Sequence, residues 1–149
     1  MGTFQTTIDI RRPADEIFAV LADTETAPRW YEAVVSAIKT TPGPVGRGTR
    51  YRLVRSLPGG VVENDVEIEE HEPSRRVTLA SVSGPTPFRY RYRLDPTGAG
   101  TTTLTLTGDI TADGLRGLPA VLTPFATQLF ARGMRQNLGA LKRLIEARP

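Results

Sequence analysis

The chain contains no cysteine and only one histidine among its 149 residues. The missing cysteines exclude disulfides and thiolate metal sites. No run of 18 apolar residues is present, and residues 1–15 carry no signal-peptide core, which predicts a cytoplasmic protein with no membrane insertion. The single histidine, His71, lies in the turn-forming stretch EEHEPS. We expect it in an exposed hairpin, and the neighbouring acidic residues do not predict a metal site.

Lysine is also scarce, because 17 of the 19 basic residues are arginine. The net charge is +3 and the isoelectric point is about 9.7, values that invite a search for a nucleic-acid-binding surface. Such surfaces usually concentrate their positive charge on one element, whereas these arginines are scattered along the whole chain. The sequence therefore predicts no nucleic-acid partner.

The first thirty residues predict a strand and two short helices. Polarity alternates through residues 3–11, TFQTTIDIR, as in a half-buried strand. A helix follows with Pro13 at its first position, where the missing N–H costs nothing. Its expected buried stripe consists of Ala14, Ile17, Phe18 and Leu21.

The second short helix lies just before the only tryptophan. Asp23 or Thr24 can cap it, and we expect it to end at about Ala27. Pro28 disfavours helical geometry at the residue before it, so the chain should bend before Trp30. Two short helices followed by aromatic residues are consistent with the rim of a cavity, which is what we expect here.

The middle of the chain consists of strands and turns within one domain, residues 1–149. Turn-forming separators such as LPGG, HEPS and DPTGAG divide it into short runs. Connections this short favour antiparallel neighbours. The predicted strands cover residues 33–40, 49–56, 61–70, 75–82, 87–95 and 101–110.

The last third of the chain has helical periodicity, which is clearest from about Phe125 to Ala147. Pro124 is expected to kink or break this helical region. Gly133 and Gly139 should each weaken the helix by about 1 kcal/mol relative to alanine unless close packing needs them.

Charge provides a test of strand register. If Tyr51 and Leu53 point inward, Arg50 and Arg52 point outward. A two-residue turn at Pro58-Gly59 or Gly59-Gly60 would then place both arginines opposite the outward carboxylates of the next strand. These carboxylates belong to Glu63, Asp65, Glu67 and Glu69.

Several motifs make the chain resemble a known superfamily. PADEIFAVLAD is followed by PRWY, then by GRGTRYRL, the turn EPSRRV and the ending LKRLIEAR, across residues 3–147. In this order they are similar to the START-like (SRPBCC) superfamily, which includes birch-pollen-type allergens, polyketide cyclase/dehydrase-like proteins and lipid-transfer domains. The resemblance implies an α+β helix-grip fold: a curved seven-stranded antiparallel sheet wrapped around a long C-terminal helix, with two short helices after strand 1. It also implies a cavity between sheet and helix that binds a hydrophobic or amphipathic small molecule such as a lipid or polyketide.

Alternation on the strands selects the residues that would contact such a ligand. Small-molecule cavities are mostly apolar with a few placed polar groups, and three tyrosines and one asparagine fall on the expected inner face. A wet cavity would satisfy their polar atoms more easily than a dry core. The predicted ligand-binding residues are Trp30, Tyr31, Tyr51, Leu53, Asn64, Val66, Phe88, Tyr90, Tyr92, Leu122, Phe125 and Leu129.

Three functions remain open. No nucleophile–base pair, nucleotide-binding glycine motif or metal cluster is visible, so the leading hypothesis is a non-catalytic protein that holds a hydrophobic small molecule without a cofactor. The second is an enzyme of the polyketide cyclase, aromatase or dehydratase type. It lacks a base unless Asp109, Glu63 or Arg55 faces inward against the expected alternation. The third is a protein-interaction module with a collapsed cavity and an exposed apolar patch, and a homodimer is compatible with the sequence.

Overall fold

The computed structural model describes residues 2–57, 59–85, 87–110 and 123–148. Within these ranges the chain forms seven strands, two α-helices and one 3₁₀ helix, which confirms the predicted α+β helix-grip class. The strands are β1 (Gly2–Ile10), β2 (Val34–Lys39), β3 (Arg50–Leu57), β4 (Gly60–Glu72), β5 (Arg76–Ser83), β6 (Phe88–Gly98) and β7 (Thr101–Ile110). The helices are α1 (Ala14–Leu21), the 3₁₀ helix (Thr24–Arg29) and α2 (Thr123–Glu146).

All seven strands belong to one antiparallel sheet with the order β1-β7-β6-β5-β4-β3-β2. Strands β2 to β7 follow one another as neighbours, because their short connections allow only antiparallel pairing. β1 crosses over to pair with β7, so β1 and β2 form the two edges. Helix α2 packs mainly against β1, and the 3₁₀ helix packs against β2. This arrangement gives the sheet an inner face toward the helices and an outer face toward solvent.

The register of β3 and β4 confirms the charge test. Arg50 pairs with Glu67 and Arg52 with Asp65, and their charged groups lie 2.8 Å and 3.6 Å apart. The neighbouring pair Leu57–Gly60 closes the hairpin, which selects the first of the two predicted turns. The outer arginines therefore fix register with exposed ion pairs that each contribute only tenths of a kcal/mol.

Two prolines differ from their predicted positions. Pro13 lies just before α1 as its cap residue, with an extended backbone (φ −63°, ψ 154°), rather than at the first helical position. Asp23 caps the second helix as expected, accepting a hydrogen bond from the backbone N–H of Glu25 at 3.1 Å. That helix does not end before Pro28 but includes it and ends at Arg29. A 3₁₀ helix this short tolerates Pro28 because few of its N–H groups have helical partners.

Helix α2 begins with the C-terminal described segment, and Pro124 lies in it. The prediction of a kink or break at Pro124 depends on residues 111–122, which lie outside the described residues. The helix then continues without interruption through Gly133 and Gly139 to Glu146. A methyl group at Gly133 would meet no atom within 4 Å, so close packing does not explain this glycine.

The C-terminal end of α2 is fastened to the segment after β1. The Arg12 guanidinium donates to the carbonyl oxygens of Glu146 and Arg148 at 2.7 Å and 2.8 Å, which satisfies carbonyls that a helix end leaves unpaired. The Glu146 carboxylate accepts from the backbone N–H of Arg11 at 2.8 Å. This hydrogen bond lowers the pKa of Glu146, with a further contribution from the charge of Lys142. These contacts hold the long helix across the inner face of the sheet.

His71 is not a turn residue. It belongs to β4, is half-buried, and its ring meets that of Phe18 edge-on with centroids 5.1 Å apart. The aromatic contact joins the sheet to α1, which is a packing role.

Candidate ligand-binding site

A small cavity lies between the inner face of the sheet and the two short helices. Its volume is about 30 Å³. Its walls combine aliphatic side chains of the short helices and of β2 to β5 with aromatic side chains of β6 and of the segment after the 3₁₀ helix. Six of the predicted ligand-binding residues line it: Trp30, Tyr31, Leu53, Phe88, Tyr90 and Tyr92. Half of the residues predicted from the sequence therefore surround one enclosed space.

The other six candidates do not line this cavity or cannot be placed. Tyr51, Asn64 and Val66 are buried on the inner side of the sheet but are not among the cavity walls. Leu122 lies outside the described residues, and so do the side chains of Phe125 and Leu129. The predicted set of ligand-binding residues also omitted aliphatic wall residues of the short helices and neighbouring strands, among them Leu21, Ala27, Val34 and Ile68.

An aromatic cluster forms the wall on the β6 side. Phe88 and Tyr90 stack with their centroids 4.8 Å apart, and Tyr31 and Phe4 approach Tyr90 at 6.4 Å and 6.3 Å. Phe4 can lie there because its partner across β1 and β7 is Gly108, where an added methyl group would collide with the Phe4 ring. Glycine at this inner position makes room for the phenyl ring.

Two tyrosine hydroxyl groups meet at the cavity. The hydroxyl oxygens of Tyr31 and Tyr90 lie 3.2 Å apart and share a hydrogen bond. Burial raises the pKa of both phenols, most strongly for Tyr90. For Tyr31 the hydrogen bond with Tyr90, the positive charge of Arg55 and a hydrogen bond with Arg55 oppose that rise in pKa. At neutral pH both hydroxyls are protonated and able to donate.

Arg55 is a functional candidate that we expected on the outer face. It is 2% exposed, its Nη2 donates to the Asn64 side-chain oxygen at 2.7 Å, and its guanidinium lies 4.8 Å from the centroid of the Phe88 ring. The prediction that it faces outward is wrong. Alternation from Tyr51 and Leu53 places the second residue after Leu53 on the inner face, so our expectation applied the pattern wrongly at Arg55.

Asn64 fixes this arginine in place. Its amide nitrogen donates to the carbonyl oxygens of Ser83 at 3.2 Å and Pro85 at 2.6 Å, while its oxygen accepts from Arg55. The side chain is 1% exposed, so these hydrogen bonds replace those that water would make. Asn64, Arg55, Tyr31 and Tyr90 thus form a continuous buried polar chain, which we call the inner polar network.

Tyr51 lies under the rim rather than at the cavity. It is fully buried, and burial, with the nearby charge of Asp23 as a second cause, raises its pKa to about 12. Tyr92 lines the cavity, and burial raises its pKa as well. All four tyrosines of the chain are therefore buried phenols with raised pKa values.

The other two candidate groups for acid–base chemistry face away from the cavity. Asp109 pairs with Arg91 on the outer face at 3.6 Å and accepts from the Thr3 hydroxyl at 2.9 Å, and Glu63 does not line the cavity. Over the described ranges, no three histidine, aspartate or glutamate side chains lie close enough together to hold a metal ion. The cavity therefore offers phenol hydroxyls within an apolar enclosure, and the Arg55 guanidinium, which is not among the cavity walls, lies against the wall residues Phe88 and Tyr31.

The curved sheet and the long C-terminal helix define a START-like helix-grip fold. The chain belongs to the family described as "Polyketide cyclase / dehydrase and lipid transport", whose model matches residues 1–146. An uncharacterised protein of Mycobacterium tuberculosis is 36% identical over 76 residues. That match covers 51% of this chain and 44% of the relative, so it spans less than half of the relative's length.

Solved structures show the same fold. A START superfamily protein from Mycobacterium smegmatis superimposes with a TM-score of 0.82 at 17% identity, covering 97% of both chains. The Zhui aromatase/cyclase from Streptomyces sp. R1128 gives a TM-score of 0.76 at 23% identity, covering 97% of this chain and 93% of that one. At these identities the similarity establishes the fold and not a shared activity. None of the helices in the described segments is long and apolar enough to cross a membrane.

Proposed function

We propose that the protein binds a small amphipathic molecule between the sheet and the two short helices, with its apolar part in the cavity and an oxygen-bearing group against the inner polar network. The family and the fold support ligand binding or polyketide cyclase activity in general. The choice of an amphipathic ligand rests on the buried guanidinium of Arg55. A carbonyl, carboxylate or hydroxyl oxygen is the group that a guanidinium and two phenols would recognise.

The position of the Arg55 guanidinium beside the cavity supports the choice of an amphipathic ligand. The guanidinium packs on Phe88, which lines the cavity, and its charge reaches the hydroxyl of Tyr31, which lines it too. Burying an arginine is costly unless hydrogen bonds compensate, and an uncharged side chain of similar size would fill a core equally well. Retaining a charge beside an apolar cavity is therefore reasonable if the charge meets a polar group of the ligand.

Ligand binding has to widen the cavity. A volume of about 30 Å³ has room for about two water molecules, whereas ligand cavities usually measure about 300–1,000 Å³. The protein must therefore populate a more open state in which the walls separate, and the ligand shifts the population toward it. Each Å² of apolar ligand surface buried contributes about 25 cal/mol toward that opening.

Native mass spectrometry of the purified protein tests the proposal directly. We expect a noncovalent adduct, which solvent extraction followed by mass spectrometry identifies as an amphipathic molecule with a polar oxygen. In parallel, protein stripped of ligand should take up a long-chain fatty acid carrying a fluorophore. A protein that arrives empty and takes up neither this probe nor its alcohol analogue would contradict the proposal.

Single hydroxyl deletions locate the ligand. Tyr90→Phe removes a phenol that lines the cavity, and it should weaken binding of the identified molecule by about three- to tenfold, as expected for one neutral hydrogen bond. Tyr51→Phe is the matched control, because Tyr51 is equally buried but lies outside the cavity walls. Equal affinities of the two variants would remove Tyr90 from the site.

The position of Arg55 also favours a second candidate function, an enzyme that closes a ring in a polyketone chain, which the family description and the aromatase/cyclase name of the Zhui protein support. Such a reaction joins an α-carbon to a carbonyl carbon, and the two hydrogens of the α-carbon leave with the carbonyl oxygen as water. Arg55 and Tyr31 would stabilise the negative charge on the carbonyl oxygen. Incubation with a linear polyketone and detection of an aromatic product tests it, with Arg55→Gln as the inactive variant. A binder without activity gives no product.

The interaction-module hypothesis has weaker support. The exposed apolar side chains Val35, Ile38, Val61 and Val82 lie on three different strands. Ile38 pairs with Arg52, whose partner on the next strand is Asp65, so charged side chains interrupt the apolar surface. A contiguous docking patch would need exposed apolar side chains that lie next to one another.

A further inference from the structure

A second, open cleft lies on the far side of Trp30 from the inner cavity. Its volume is about 430 Å³, which is in the range of sites for small organic molecules. One wall is the end of the 3₁₀ helix with the residues just after it, and the other is the middle of α2. We call it the outer cleft. Trp30 is 5% exposed and borders both spaces, so the cleft is separate from the proposed internal site.

The arginines of the outer cleft differ from those on the outer face of the sheet. Arg29 and Arg143 belong to opposite walls, and Glu32 is the acidic residue that lines the cleft. Arginines of the outer sheet face have carboxylate partners, as Arg89 has Glu69 at 2.7 Å. In the described part of the chain neither Arg29 nor Arg143 makes an ion pair or a side-chain hydrogen bond. Both guanidiniums are therefore available to an anion.

The walls of the cleft are held in place by buried contacts. Asn137, which is 6% exposed, accepts a hydrogen bond from the backbone N–H of Glu32 at 3.0 Å and so ties the two walls together. On the other side, the Trp30 indole N–H donates to the hydroxyl of Thr26 at 3.2 Å. The cleft is consequently preformed, which lowers the entropic cost of binding a ligand.

Ala140 is the small residue with which α2 lines the cleft. The Arg143 guanidinium lies near the preceding residue, because a methyl group added at Gly139 would be 3.6 Å from Nη1 of Arg143, an ordinary van der Waals distance. A larger side chain at Ala140 would occupy part of the cleft.

We propose that the outer cleft binds a small organic carboxylate, whose negative group lies between the guanidiniums of Arg29 and Arg143. Guanidinium groups bind carboxylates through paired N–H donors. The open volume next to Trp30 and Pro28 accommodates the rest of a small, flat molecule. This site does not depend on the internal ligand, because it is already open while the inner cavity is closed.

Titration with benzoate tests the proposal. Trp30 is the only tryptophan, so its fluorescence reports occupancy of a site at the cleft. We expect saturable binding of benzoate that weakens with added salt, and at least tenfold weaker binding of benzamide, a neutral molecule of the same shape. That factor corresponds to about 1.4 kcal/mol.

Two matched double variants identify the residues. Arg29→Gln/Arg143→Gln should weaken benzoate binding by about tenfold or more. Arg132→Gln/Arg135→Gln removes the same charge from exposed residues of α2 that do not line the cleft, and it should leave the affinity within about twofold. Thermal unfolding checks that both variants fold. The proposal is overturned if benzoate causes no saturable change, if benzamide binds equally well, or if the two double variants behave alike.

Discussion

The two faces of one sheet use arginine in opposite ways. On the outer face, Arg50 and Arg52 of β3 pair with Glu67 and Asp65 of β4 in water. On the inner face of the same strand, Arg55 is buried, hydrogen-bonded to a neutral amide and stacked on a phenyl ring. Solvent screens the outer pairs, so their energies are small. Arg55 has lost its water, so its hydrogen bonds decide whether this part of the core is stable.

The comparison teaches that residue type alone does not separate structure from function in this fold. Arginines only three residues apart, Arg52 and Arg55, stabilise register on one face and form a candidate recognition site on the other. The difference between the two arginines comes from their exposure to solvent, and experiments that change one face of the sheet at a time can test it.

Alkaline pH should affect the inner face most strongly. The four tyrosines are buried with pKa values raised above the ordinary 10.0, so below pH 10 they are protonated in both the folded and the unfolded state. As the pH rises further, only the unfolded state releases these protons and becomes favoured. The free energy of unfolding should fall by up to about 1.4 kcal/mol per pH unit for each tyrosine.

Urea unfolding at a series of pH values measures this slope, and ultraviolet absorbance follows tyrosinate formation. We expect tyrosinate to form together with unfolding rather than before it. In the Tyr92→Phe variant the free energy of unfolding should fall less steeply with pH, because one tyrosine no longer contributes. Tyrosinate that forms at pH 10 in the folded protein would show that the phenols are accessible to water.

A double-mutant cycle on the inner polar network should show strong coupling. Arg55→Ala should lower the free energy of unfolding by about 2–3 kcal/mol, because it empties a buried site and leaves the Asn64 oxygen without its donor. With Asn64→Ala as the second mutation, we expect a coupling energy of about 1–3 kcal/mol. Urea unfolding of the parent, both single variants and the double variant gives the value. Strict additivity would mean that the hydrogen bond does not contribute to stability.

A smaller effect is expected from filling the space opposite Phe4. Gly108→Ala places a methyl group against the Phe4 ring and should cost about 1–3 kcal/mol through overpacking. Thr107→Ala, one residue earlier and on the outer face, should change stability by about 0.5 kcal/mol or less. Thermal unfolding of both variants provides the measurement. Similar losses of stability in the two variants would show that the inner and outer faces of β7 are packed alike.

The smallest effect should come from the outer face. A double-mutant cycle between Arg52 and Asp65, whose charged groups are 3.6 Å apart and largely exposed, should give a coupling of less than about 1 kcal/mol. Added salt should reduce it further, whereas the coupling of Arg55 with Asn64 should persist because burial protects it. A salt-sensitive inner coupling would show that water reaches Arg55.

Much of the fold could be predicted because its signals are local. Alternation, turn-forming separators and helical periodicity predicted the strands, their antiparallel pairing and the helix from about Phe125. The charges of Arg50 and Arg52 predicted the register. The errors at Pro13 and Pro28 are boundary errors, which arise because proline fits the first turn of a helix as readily as it ends one.

The candidate site was only half predictable. Alternation identified Tyr90, Tyr92 and Leu53 as inward residues, and these line the cavity. Counted from Tyr51 and Leu53, alternation also places Arg55 on the inner face, where the structure has it. No local signal could have shown that Asn137 of α2 meets Glu32, or that Arg29 and Arg143 face one cleft, because the members of each pair are far apart in the chain.

The sequence by itself determined which side chains face inward, because a strand alternates its faces whatever surrounds it. Tertiary structure alone decided how far the helices approach the sheet, and therefore that the inner cavity measures about 30 Å³ while an open cleft of about 430 Å³ lies behind Trp30. Volumes of this kind depend on contacts between distant segments and on the sizes of the side chains that meet there. No pattern of neighbouring residues encodes them.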